Sequence, residues 1–112
     1  MNIQIFGIKK CFDTKKAERY FKERRIKFQF IDLMEKGISK GELNSVLNSV
    51  SINHLINSKC KDYSKLNLNN IRSTDIKKEI VLKNPKVITT PIVRNGKEAT
   101  VGYNPDVWNN WE

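Results

Sequence analysis

Two short apolar alternations bracket a single amphipathic helical pattern near the start of the chain, and this order constrains the fold more than any other feature. Asn2-Ile3-Gln4-Ile5-Phe6 alternates with period two, which predicts a strand over 2–6 with Ile3 and Ile5 on one face. Ala17, Tyr20 and Phe21 then recur at helical spacing among charged residues. Glu18–Lys22 and Arg19–Glu23 are opposite charges four apart, so a helix over about 14–24 is expected. Lys27-Phe28-Gln29-Phe30-Ile31 reads as a second strand. A strand, a helix and a strand at this spacing form a right-handed βαβ unit with parallel strands.

The middle of the chain is helical. Ser39-Lys40-Gly41-Glu42 has the spacing of a capping box, with Glu42 reaching back to the Ser39 backbone. Leu43, Val46, Leu47 and Val50 follow at i, i+3, i+4 and i+7 and make one apolar stripe. A helical turn over 52–57 and a loop or broken helix over 59–70 come next. A further helix is expected from Ser73 or Thr74, burying Ile76 and Ile80 and ending before Asn84-Pro85.

The last third reads as a hairpin. Asn95-Gly96 separates Pro91-Ile92-Val93-Arg94 from Lys97-Glu98-Ala99-Thr100-Val101, and a turn with positive φ at both Asn95 and Gly96 is expected. Asn104-Pro105 resembles an N-cap followed by proline at N1. The short helix after it carries Val107, Trp108 and Trp111, whose rings are expected to pack on the sheet. The total order is β-α-β, a helical insertion, then β-β-α. That predicts a thioredoxin-like α/β fold, with a mixed four-stranded sheet flanked by helices, as one domain over 1–112.

In this topology the junction of the first strand and its helix carries Cys11. A thiol there faces free backbone N–H groups and a helix N-terminus, both of which favour thiolate. Lys9, Lys10, Lys15 and Lys16 crowd the same stretch and favour it further, with Asp13 opposing them. Pro91 opens the last pair of strands, where the fold brings it to the cysteine, and proline at such a junction often takes the cis form. Thr14 lies one helical turn from Cys11, either as a hydrogen-bond donor to a thiolate or as the helix cap. Cys60 either resolves a mixed disulfide on Cys11 or is incidental. Lys59 reads as an anion contact or a solvated lysine. His54 has no partner triad and Arg94 reads as a surface residue.

Several functions are disfavoured by composition. Two cysteines are no disulfide framework, and their spacing fits no zinc ribbon or finger, so no metal is expected. No apolar run approaches membrane-spanning length, and no secretory leader is visible, which with the cysteine usage predicts a cytoplasmic protein. The net charge of +9 suits an anionic partner, or reflects a composition rich in Lys, Ile and Asn. No basic motif interleaved with aromatics marks a specific nucleic-acid site.

Phe6-Gly7-Ile8-Lys9-Lys10-Cys11 followed by Asp13-Thr14-Lys15-Lys16-Ala17 resembles the opening of the bacterial arsenate reductase (ArsC) / Spx family. Ile56-Asn57-Ser58-Lys59 with Tyr63 and Lys65-Leu66 resembles a further segment of that family. So do Asn84-Pro85 with Thr90-Pro91-Ile92-Val93, and Val101-Gly102-Tyr103-Asn104. The resemblance implies a thioredoxin-like fold with a helical insertion. It also implies a cysteine that attacks arsenate or a disulfide-like bond, with glutathione or another thiol as co-substrate and no bound cofactor. Spx-type members bind RNA polymerase and carry a Cys-x-x-Cys redox switch.

This chain departs from both specialised patterns. Thr14 stands where the second switch cysteine would be. Thr90 stands where arsenate reductases place an arginine before the proline, and Lys59 is the nearest equivalent cation. A lysine lacks the bidentate fork that grips a tetrahedral oxyanion. The expected function is therefore a thiol-dependent oxidoreductase acting through Cys11. Lys10, Thr14, Lys15, Lys59, Thr90 and Pro91 would support it, and its partner would be a small thiol or a thiol-disulfide. The alternative is an Spx-like regulator binding RNA polymerase, and arsenate reduction itself ranks below both.

Overall fold

The computed structural model describes residues 2–111. Strand β1 (Ile3–Gly7) leads to helix α1 (Phe12–Glu23) and strand β2 (Phe28–Asp32). The insertion holds α2 (Lys40–Leu47), α3 (Ile52–Leu55), α4 (Lys61–Lys65) and α5 (Thr74–Lys83). Strands β3 (Ile92–Asn95) and β4 (Glu98–Val101) and helix α6 (Pro105–Trp108) complete the chain. The sheet order is β2-β1-β3-β4, with β1 parallel to β2 and antiparallel to β3. This is the mixed four-stranded, thioredoxin-like sheet that the element order predicts.

The pleat sorts the side chains into two cores. Ile3, Ile5 and Val93 point to one face, where α1 supplies Ala17, Tyr20 and Phe21 and α6 supplies Trp108. Trp108 is buried as expected, and its indole N–H donates to Thr100 Oγ1 at 2.8 Å. Phe6, Ile31, Ile92, Ala99 and Val101 point to the other face, under the insertion. Burying a large apolar side chain contributes roughly 1.5–3 kcal/mol. Both faces of β1 are therefore held, and the position of its C-terminal end is fixed.

Three local expectations need correction. Helix α1 starts at Phe12 rather than Thr14, with Cys11 itself in the extended N-cap conformation at φ −74°, ψ 124°. Thr14 is turned inward and fully buried, so it cannot be the cap. In α5, Ile76 is 53% exposed and Val81 is buried. The inward line of that helix runs through Lys77, Ile80 and Val81, which leaves Ile76 outside, and the Lys77 ammonium donates to Asn53 Oδ1 at 2.7 Å. In the hairpin only Gly96 has positive φ (59°), and Asn95 pairs with Glu98 inside the ladder. Glycine at the first turn position is the type II′ requirement, which replaces the expected Asn-Gly turn. Asn104 is the N-cap residue of α6 with Pro105 opening the helix, as expected, although its side chain makes no capping bond and its amide donates to Val101 O at 2.7 Å.

The remaining readings of the insertion agree with the structure. Both capping-box bonds form, Ser39 N to Glu42 Oε1 at 2.9 Å and Glu42 N to Ser39 Oγ at 3.1 Å. Residues 59–70 are a broken helix, with α4 followed by a 3-10 turn over Leu68–Asn70. No helix among the described residues is long and apolar enough to cross a membrane.

Candidate functional site

Cys11 follows a tight turn out of β1 in which its own N–H donates to Ile8 O at 2.9 Å. Its carbonyl accepts from Lys15 N at 3.2 Å, so the residue is locked to the first turn of α1. The side chain makes no capping bond and stays half-buried as a free thiol. The N–H groups of Asp13 and Thr14 open the helix beside the sulfur and lower its pKa.

Thr90 closes the site from the other end of the chain. Its Oγ1 donates to Cys11 Sγ at 2.9 Å, and its carbonyl lies 3.8 Å from the sulfur, where it accepts from the thiol when the proton is present. The Thr90-Pro91 bond is cis. The insertion fixes the segment that delivers Thr90. Asn57 N donates to Val87 O at 2.7 Å, Thr89 N donates to Leu55 O at 2.8 Å, and Ile56 bridges Ile88. Beyond Thr90, Pro91 is buried and its carbonyl accepts from Gly102 N at 2.8 Å.

Beneath the sulfur lies Thr14. Its Oγ1 is buried with no hydrogen-bond partner of ordinary geometry, and its nearness lowers the pKa of the Cys11 thiol. Gly7 makes room for it: a Cβ on Gly7 would stand 2.5 Å from Thr14 Cγ2 and 2.6 Å from Thr14 Oγ1. A glycine ending a strand marks such close approaches, and this one is the sequence signal that points to the buried threonine.

These contacts set the acidity of the thiol. Partial burial is the largest single influence and pushes the Cys11 pKa up. It is outweighed by the Thr14 hydroxyl, the Thr90 hydroxyl and the N–H groups of Thr14 and Asp13, so the thiol lies below its usual value of 9.0. The groups that lower it are all neutral. Of the lysines nearest in sequence, Lys9 reaches Asp32 and Glu35 at 4.0 and 3.9 Å. Lys16 lies between the rings of Phe12 and Tyr103. Lys10 and Lys15 are exposed.

The other sequence-derived residues lie on the insertion. Lys59 is exposed in a turn where its N–H donates to Asn57 Oδ1 at 3.0 Å. Cys60 is a second free thiol, placed at the N-cap of α4 and packed against the insertion-side core. The structure thus brings Cys11, Thr14, Thr90 and Pro91 together from two segments. Sequence reasoning missed Gly7, whose role depends on a backbone position rather than residue chemistry.

Known proteins are similar to this chain in sequence and fold. The global transcriptional regulator Spx 2 of Oceanobacillus iheyensis is 26% identical over 110 residues, spanning 95% of this chain and 80% of its own length. The arsenate reductase from Vibrio cholerae superposes with a TM-score of 0.84 at 25% identity, over 96% of this chain and 94% of that one. An ArsC family related protein from Bacteroides fragilis gives 0.89 at 18% identity, over 100% and 98% of the two chains, and so shares the fold. The model of the ArsC family matches residues 6–111, a span that includes Cys11, Thr14, Thr90 and Pro91, and the chain belongs to that family.

Proposed function

We propose that the protein is a thiol-dependent oxidoreductase in which Cys11 is the nucleophile and glutathione or another small thiol is the reductant. The observation that carries this reading is the 2.9 Å bond from Thr90 Oγ1 to Cys11 Sγ, made to a thiol that Thr14 and two amides also hold below its usual pKa. Donors aimed at a sulfur favour its anion, and the anion is the attacking species.

The chemistry is two thiol-disulfide exchanges. The Cys11 thiolate attacks a substrate disulfide, one sulfur bonds to Sγ, and the other leaves with the electron pair as a thiolate and takes a proton from solvent. A small thiolate then attacks the mixed disulfide, forms a disulfide with the substrate sulfur and releases Cys11 as thiolate. The same hydrogen bonds stabilise Cys11 as leaving group in the second step. Cys60 is not needed for this route. The test is the rate of Cys11 alkylation against pH, with Cys11→Ser as the blank. A midpoint below that of free cysteine supports the reading, and a thiol that titrates like free cysteine or does not react removes it.

A second reading is an Spx-like regulator that binds RNA polymerase, favoured by the match to a transcriptional regulator along 95% of this chain. Val101-Gly102-Tyr103-Asn104, the segment that resembles Spx, is tied to Pro91 through the Gly102 N–H. A pull-down with the α-subunit domain of the polymerase separates the two readings, since an oxidoreductase need not form that complex. Arsenate reduction ranks third, because Thr90 offers one hydroxyl where a bidentate guanidinium would hold the oxyanion. Turnover of arsenate with glutathione and glutaredoxin above a Cys11→Ser control would reverse that order.

A further inference from the structure

The residue after Cys11 is Phe12, and its ring is 71% exposed. Tyr103, 41% exposed, approaches from the loop before α6. Lys16 Nζ bridges them, 4.9 Å from the Phe12 centroid and 5.4 Å from that of Tyr103. From Lys16 and Tyr103 a groove of about 340 Å³ continues along α1 past Arg19, Glu23 and Arg24. The Arg24 guanidinium lies 3.6 Å over the Tyr20 ring. Three cations thus face the groove against one carboxylate. Among the described residues the ion pairs within 4 Å are those of Lys9, so none of these cations is held in a close ion pair there.

We infer that this groove is a docking track for an acidic polypeptide whose cysteine is delivered to Cys11. The inference rests on the oxidoreductase reading above and names its substrate class. Exposed rings at the mouth suit backbone and apolar side chains, and unpaired cations along the track suit Glu or Asp. Length excludes a tripeptide thiol as the full occupant. Eight helical residues separate Cys11 from Arg19, about 12 Å at 1.5 Å each. An extended partner covers that in three or four residues at roughly 3.3 Å each. The fitting substrate carries acidic residues three or four positions from its cysteine. The individual exposed pairs are weak, so the gain lies mostly in association rate and falls with salt.

The test uses the purified protein and synthetic peptides whose single cysteine is capped as a pyridyl disulfide. Cys11 Sγ bonds to the peptide sulfur as pyridinethiolate leaves with the electron pair, and the released thione is followed by absorbance. One peptide carries Glu three and four residues after the cysteine, a second carries Lys there, and dipyridyl disulfide serves as a neutral reference. At low salt the acidic peptide should react about tenfold faster than the basic one. Arg19→Glu or Lys16→Glu should remove most of that gap. Lys83→Glu makes the same charge change on α5, across the sheet, and should leave the gap largely intact. Equal rates for the two peptides, or a gap closed as well by Lys83→Glu as by Arg19→Glu, overturn the docking track while the neutral disulfide still reports an active Cys11. No reaction with the neutral disulfide overturns the oxidoreductase reading and this inference together.

Discussion

Thr90 and Cys11 stand 79 positions apart in the chain, yet Thr90 Oγ1 donates to Cys11 Sγ at 2.9 Å. The antiparallel pairing of β3 on β1, with Phe6 opposite Ile92, brings the approach to β3 against the exit from β1. The family resemblance places an arginine at position 90, so the hydroxyl exchanges a permanent charge for a directional neutral donor.

Replacing Thr90 by Val removes that donor and keeps the side-chain shape. The Cys11 pKa should rise towards its usual value, and alkylation at neutral pH should slow several-fold. Rate–pH profiles of the variant and the parent check this. Superimposable profiles would mean that the bond does not act on the thiolate.

Thr14→Val separates stability from reactivity. The Thr14 hydroxyl is buried without an oxygen or nitrogen partner. Its removal should therefore shift denaturant stability by no more than about 1 kcal/mol, in either direction. The thiol loses the foremost group that lowers its pKa, so its alkylation midpoint should move up. A large loss of stability with an unchanged midpoint would assign Thr14 to packing alone.

Gly7→Ala should affect both. The added Cβ would meet Thr14 Cγ2 at 2.5 Å and Oγ1 at 2.6 Å, and both atoms belong to a short, buried side chain. Overpacking of this kind costs about 1–3 kcal/mol. Urea unfolding should show that loss, and Cys11 alkylation should slow as Thr14 is displaced. Adding Thr14→Ala should recover part of the stability without restoring the rate.

Cys11 also makes stability depend on pH. Its folded pKa lies below the usual 9.0, so the folded state holds the thiolate more readily than the unfolded chain does. The contribution is present in full above the unfolded value and is lost as pH falls through the folded one. The stability of the parent relative to Cys11→Ser should therefore rise with pH across the thiol range. A difference that stays flat or falls would contradict the arrangement of donors around the sulfur.

Much of the fold was legible because its signals are local. Ile3 and Ile5 alternate, Ala17, Tyr20 and Phe21 repeat on one helix face, and Ser39 with Glu42 closes a capping box whose two bonds both form. The errors have a common origin. Ile76 reads as a core residue by spacing, but α5 turns Lys77, Ile80 and Val81 inward and leaves Ile76 outside. Asn95-Gly96 reads as a type I′ turn, but Asn95 is held in the ladder opposite Glu98. Thr14 reads either as a cap or as a thiolate contact, and the space above Gly7 draws it inside. In each case the packing of the folded chain decided what the local pattern could not.

The site divides along the same line. The sequence alone determined that a cysteine would stand between a first strand and its helix, since alternation followed by helical spacing leaves no other place for residue 11. What surrounds that sulfur was decided by the tertiary structure. The residue order pointed to helix N-terminal amides and to nearby lysines as the activating influences. The amides of Asp13 and Thr14 do lower the thiol's pKa, and the other groups that lower it are hydroxyls, positioned by strand pairing, by a glycine that admits Thr14, and by an insertion that fixes the path to Thr90. Hydrogen bonds act over about 3 Å, a distance that only the packed chain can set.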